Sequence, residues 1–291
     1  MIKGLKQVDI SRIYPIISLT RLNRPIGALL LLWPTIWALW IASEGWPGFH
    51  IFLVFSFGTI MARSAGCVIN DLADRNFDPL VERTKSRPLG TLEISAKSAA
   101  ILVGILFSGC FLLVITLNIE TILLSFGAIV IMSVYPFMKR YTHLPQVILG
   151  IAFSWGIPMA FTAIGNDLNN TVVMLVIANM LWVIAYDTQY AMVDKEDDIL
   201  LGLKSTAILF GKHARLITSV LQILCLTMLI TLGTSNEFGL FYYFAILGAG
   251  ALFCYQQILL SRENRDDYFK AFLNNNWVGM IIFFGVAANF L

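Results

Sequence analysis

Long apolar runs dominate this chain and leave it few ways to fold. Nine of them, over 25–42, 51–69, 98–117, 121–138, 145–164, 171–190, 214–233, 239–260 and 277–291, approach the roughly 20 residues that an α-helix needs to cross a bilayer, the last being short. Charged residues make up only 13% of the chain, against 58% hydrophobic, which excludes an ordinary soluble domain. The expectation is an all-α polytopic membrane protein whose nine transmembrane helices form one integral membrane domain over 1–291. No Ser/Gly linker or low-complexity tract divides it. The first twenty residues lack an apolar core followed by a small-residue cleavage site, so no cleaved leader is expected.

The distribution of basic residues orients the spans. With the N-terminus on one side, the segments 1–24, 70–97, 139–144, 191–213 and 261–276 share that side and hold eighteen of the twenty Lys and Arg. The opposite loops (43–50, 118–120, 165–170 and 234–238) hold none, only Glu44, Glu120, Asp167 and Glu237. Lysine and arginine stay in the cytoplasm, so the N-terminus and the long charged loops after the second and sixth spans are expected there. Those two loops lie four spans apart, the spacing of a duplicated four-helix unit, although overt repetition is weak. Cys67, Cys110, Cys225 and Cys254 lie in or beside spans without metal-ligand spacing and read as packing residues. His50, His143 and His213 fall in loops or at helix ends and are assigned no chemistry.

Against this apolar background the stretch GCVINDLADRNFD (66–78) is out of character. If the second span continues as a helix, Asn70, Asp74 and Asp78, four apart, share one face with Arg63, and Asp71 lies adjacent. Like charges so close repel, and something positive must offset them. Hard oxygen donors at a helix end suit Mg²⁺, which binds through one or two carboxylates, waters and substrate phosphates. A solvated acidic helix cap is the plainer reading. The sixth span ends similarly: Asp194 and Asp198 are four apart, and Asp187 precedes Asp194 by seven, as Arg63 precedes Asn70. Two such clusters facing each other would hold two Mg²⁺ ions with a diphosphate between them, the arrangement that ionises a diphosphate leaving group. Asp187, an acid in an apolar run, reads as functional or as a polar contact between helices.

Basic side chains flank both clusters. Lys139 and Arg140 end the fourth span and suit interfacial anchoring, but Tyr135 and Lys139 at i and i+4 also suit a shared diphosphate-binding cavity. Lys204 is a weaker candidate. Arg21 or Arg24 would suit a carboxylate-bearing substrate, or positive-inside anchoring.

The stretches MARSAGCVINDLADRNFD (61–78), RTKSRPL (83–89), SVYPFMKR (133–140) and DTQYAMVDKEDDILLGLKSTAILFG (187–211) resemble the UbiA superfamily of intramembrane prenyltransferases, and the likeness covers essentially the whole chain. The resemblance is closest to the branch that prenylates 4-hydroxybenzoate in ubiquinone biosynthesis. It implies nine helices around a central cavity open to the cytoplasmic side, in a bacterial inner membrane. It implies Mg²⁺-dependent transfer of a polyprenyl group from its diphosphate to the carbon ortho to the hydroxyl of 4-hydroxybenzoate. Asn70, Asp74, Asp194 and Asp198 would be the main Mg²⁺ ligands or their supports, with Asp71 and Asp78 completing the first motif. Arg63, Arg75, Lys139 and Arg140 would face the diphosphate. Arg21 or Arg24 would hold the acceptor carboxylate, and Asp187 or Asp194 would serve as base. The lipid bilayer is the only other partner expected, with no nucleic acid, and oligomeric state stays open. Two rivals remain. A transporter would place its acids near the membrane midplane. A prenyltransferase for another acceptor would share both motifs.

Overall fold

A computed structural model describes residues 10–81 and 83–291. Residues 1–9, part of the first predicted cytoplasmic segment, lie outside the described residues. The described chain is helical, with no strand. In order, the α-helices are α1 (Ile10–Leu19), α2 (Ile26–Ala42), α3 (Phe49–Asp74), α4 (Ala96–Val114), α5 (Ile119–Val134), α6 (Met138–Tyr141), α7 (Pro145–Ser154), α8 (Gly156–Ile164), α9 (Asn170–Leu200), α10 (Thr206–Phe210), α11 (Ala214–Ser235), α12 (Leu240–Leu260) and α13 (Arg265–Ala288).

Among the described residues, eight helical stretches are long and apolar enough to cross a membrane. The first predicted span is α2, an apolar helix of 17 residues, one turn short of the ~20 that span without thinning the bilayer. Local chemistry sets the ends. Asn118, Asn169 and Asn264 cap α5, α9 and α13 by accepting backbone N–H bonds from their first turns. The fifth predicted span is broken at Trp155 into α7 and α8, because Pro158 has no N–H to offer the carbonyl one turn back. The ninth predicted span begins too late: α13 starts at Arg265, not 277. Its first turns carry Arg265, Asp266, Asp267 and Lys270, which hide a helix from a hydropathy reading.

Burial distinguishes central from peripheral helices. Half of the apolar window of α9 is buried, against 11% for α4 and for the α5–α6 stretch. So α9 is the central post, packed by α7, α11 and α13, while α4 and α5 turn most of their apolar surface to lipid. Trp37 of α2 stacks on Trp182 of α9 with ring centroids 5.3 Å apart, and its indole N–H donates to the Gly279 carbonyl of α13 at 3.0 Å. Gly279 is needed there, since a Cβ would lie 2.4 Å from the Trp33 ring. With 31 residues α9 extends about 45 Å, longer than a hydrocarbon core, so its acidic C-terminal turns reach past the apolar layer.

Candidate active site at the ends of two acidic helices

The C-terminal ends of α3 and α9 meet at one cavity of about 1200 Å³. Asn70, Asp71, Asp74 and Asp78 line it from one side, and Asp187, Asp194 and Asp198 from the other. The two sets arrive differently. Helix α9 runs unbroken through Asp187, Asp194 and Asp198 until Gly202 takes a positive φ of 67°. Helix α3 stops at Asp74, so the expected continuous helical face does not include Asp78. Pro79 disfavours helix at the residue before it, and the chain turns so that Asp78 opens a one-turn 3₁₀ helix, Asp78–Leu80. That turn still returns Asp78 to the cavity.

Cationic side chains offset the clustered carboxylates. Arg21 grips Asp71 through one nitrogen at 2.8 and 2.9 Å, from a backbone held at φ 59°. Arg87 reaches Asp71 at 3.0 Å and both oxygens of Asp78 at 2.9 Å. Lys139 lies 2.5 Å from Asp74, with Arg140 at 3.6 Å. Arg83 forms two bonds to Asp194, 2.8 Å from Nε and 2.5 Å from Nη2, and lies over the Tyr190 ring. Burial pushes the Asp78 carboxyl above its ordinary value, against the pull of Arg87. Lys139, at Asp74, lines the same cavity as Asp198.

The other expected residues divide. Arg63 enters the cavity with no carboxylate at ion-pair distance among the described residues, 5.6 Å over the Phe153 ring. A Cβ on Gly27 would stand 2.9 Å from its Nη2, so glycine lets the guanidinium through. Tyr135 and Arg24 also line the cavity. Lys204 lines it too, its ammonium 3.2 Å from the Tyr141 carbonyl. Arg75 is exposed and does not line the cavity. Arg140 stands behind the wall, over Phe77 and Phe137, and donates to the Ala73 carbonyl. Arg21, a candidate for the acceptor carboxylate, lines the cavity with its guanidinium on Asp71.

Arg83 and Arg87 were not among the expected site residues, although RTKSRPL places two arginines four apart just after the first acidic run. Tyr186 also lacked a signal. It is 1% exposed, lines the cavity, and its hydroxyl has no hydrogen-bond partner. Gln146 of α7 also lines the cavity, its Oε1 accepting from the Thr206 backbone N–H at 3.1 Å.

The donor set suits Mg²⁺. Among the described residues no three acids form a closed cage. Mg²⁺ does not require one, because it keeps waters and shares substrate phosphate oxygens. Oxygen donors from two helices face one space, and Asp74 Oδ1 is buried with no hydrogen-bond partner among the described residues, the Arg140 guanidinium standing 3.6 Å away.

Comparison with known proteins agrees with this geometry. The model of the UbiA prenyltransferase family matches residues 31–282. The chain is 56% identical over 273 residues to the 4-hydroxybenzoate octaprenyltransferase of Vibrio vulnificus (strain CMCP6), covering 94% of this chain and 96% of that protein. It is 54% identical to the protein of the same name from Cronobacter sakazakii (strain ATCC BAA-894), covering 94% of each. The solved UbiA homologue of Aeropyrum pernix K1 shares the fold with a TM-score of 0.80 at 24% identity, over 91% of this chain and 99% of that one. A homologue from Archaeoglobus fulgidus bound to GPP and Mg²⁺ shares it with a TM-score of 0.70 at 19% identity, over 94% and 99%. The chain is an integral membrane protein and belongs to the UbiA prenyltransferase family.

Proposed function

We propose that this protein transfers a polyprenyl group from a polyprenyl diphosphate to the carbon ortho to the hydroxyl of 4-hydroxybenzoate, in a Mg²⁺-dependent step of ubiquinone biosynthesis. The observation that carries the reading is the convergence of Asp74 and Asp198 on one cavity, with Lys139 at Asp74 lining the same space. The names of the relatives at 53–56% identity support the acceptor. We take the fold as one domain of nine spans, α2 being the shortest, in a bacterial inner membrane. The charge asymmetry of the loops supports a cavity that opens to the cytoplasm.

Asn70, Asp74, Asp194 and Asp198 would hold Mg²⁺, which when bound supplies the charge that stabilises a departing diphosphate. Lys139, Arg83 and Arg87 already stand at the carboxylates and would turn to the phosphate oxygens, orienting the allylic carbon inward. Apolar walls from α3, α4 and α5 keep water from the allylic cation, and Phe153 and Tyr190 present ring faces. Of the two candidate bases, Asp194 is engaged by Arg83, whereas Asp187 lines the cavity deeper in the helix run, so we assign the proton to Asp187. Arg24 stays a candidate for the acceptor carboxylate. Arg63, with no carboxylate at ion-pair distance among the described residues, would face an anion in the cavity.

The test is incubation of membranes containing the protein with 4-hydroxybenzoate, a polyprenyl diphosphate and Mg²⁺, with product identified by mass and an EDTA control. Prenylated acid that appears only with Mg²⁺ supports the reading. Unchanged substrates, together with accumulation of a labelled solute in sealed vesicles, would favour transport instead.

A further inference from the structure

Behind its acidic face α9 carries Gln189, which is wholly buried and does not line the cavity. At 100° per residue it points to the side of the helix opposite Asp187 and Asp194. There it joins a hydrogen-bonded chain that crosses three helices. Trp182 Nε1 of α9 donates to Asn275 Oδ1 of α13 at 2.9 Å. Asn275 Nδ2 donates to Gln189 Oε1 at 2.9 Å, Gln189 Nε2 to Gln256 Oε1 of α12 at 3.0 Å, and Gln256 Nε2 to Asn274 Oδ1 at 3.0 Å. Gln222 of α11 donates to Gln256 from the side at 2.7 Å, and Gln257 donates to Gln222 at 2.8 Å.

The direction of this chain is forced. An indole N–H can only donate, so Asn275 must present its oxygen to Trp182 and its amide nitrogen to Gln189. Each amide then fixes the next. Reversing any one sets two donors or two acceptors face to face, in a site where Gln189, Gln256 and Asn275 are all 0% exposed. An apolar interface tolerates small rolls of one helix on another, but a chain of directional bonds does not, which is why buried amides fix helix register. A roll of α9 would carry Asp187, Asp194 and Asp198 off the cavity together, since all three lie on one rigid helix.

We infer that Gln189, Gln256 and Asn275 are positioning residues that lock α9 in the rotation aiming its three carboxylates into the cavity. The catalytic consequence rests on the reading of those carboxylates proposed above; the rotation does not.

Two measurements separate the claims. Ala191 lines the cavity on the acidic face of α9, so an Ala191→Cys variant in a background lacking the native cysteines reports its rotation through its rate of modification by a charged thiol reagent. Adding Gln189→Met, which keeps volume and removes the bonds, should slow that rate several-fold. So should Gln256→Met, which leaves the sequence of α9 intact and serves if the first variant does not fold. Gln257→Met removes a bond of the side branch and should leave the rate unchanged. Equal rates in all variants overturn the inference, and so does equal slowing by Gln257→Met. Without the reporter cysteine, Gln189→Met and Gln256→Met should lower kcat/KM for prenyl transfer by about 10–100-fold, the usual cost of losing a support behind ligand positions. A slowed thiol rate with unchanged kcat/KM would leave the lock standing and count against the metal-binding reading of α9.

Discussion

Arg83 and Asp194 are joined across 111 residues of sequence by two hydrogen bonds of 2.8 and 2.5 Å, tying the loop after α3 to the end of α9. Only a guanidinium makes this pair of bonds, because an ammonium is a point charge without a planar fork. The same group is placed to turn from Asp194 to a phosphate. We therefore expect Arg83→Lys to keep part of the activity. Arg83→Gln, which loses a charge-assisted bond, should lower kcat/KM by about 10–150-fold. Steady-state kinetics with varied polyprenyl diphosphate would decide it, and activity equal to the parent in both variants would remove Arg83 from the site.

Arg87 is shared by two carboxylates, Asp71 and Asp78, that are almost wholly buried. Arg87→Met removes the ion pair of Asp78 and one of the two arginines on Asp71, leaving Arg21 there. Breaking a buried pair on one side costs about 3–5 kcal/mol. The variant should melt well below the parent in detergent with chelator present. An unchanged melting temperature would mean that these carboxylates are protonated or hydrated without it.

Asp194→Ala tests the metal reading. It should abolish Mg²⁺-dependent turnover, a loss of at least about 10²–10³-fold for one electrostatic element of such a site. The protein should stay folded by size-exclusion chromatography, since Arg83 is then freed to solvent at the rim. Near-normal product formation would sink the two-cluster model.

Gly27→Ala would push its new methyl group against Arg63, 2.9 Å from Nη2. The guanidinium is the far end of a flexible side chain, so the fold should survive and the head group should move. Activity should fall while the melting temperature changes by no more than a few degrees, the scale of about 1 kcal/mol. If activity and stability fall in proportion, Arg63 serves packing and not substrate.

The division between what was legible and what was not follows particular residues. The apolar runs and the loop charges specified helices and their membrane character, because a bilayer admits few alternatives. The 31 residues of α9 carried their acids on one face as their spacing required, since nothing before Gly202 interrupts the helix. The shape of the first acidic stretch was not legible: α3 ends at Asp74, and Asp78 reaches the cavity through a turn. Helix α13 was cut short because its charged first turns mask it.

By itself the sequence determined which residues bear charge and at what intervals along each helix, because the 3.6-residue period and the cost of burying polar backbone in lipid are local rules. The tertiary structure decided which charges meet. Arg75 and Arg87 look alike in sequence, yet one stands exposed and the other lies between two aspartates. The pairing of Arg21 with Asp71 and of Arg83 with Asp194 depends on contacts fifty and more than a hundred residues apart, which no local spacing encodes.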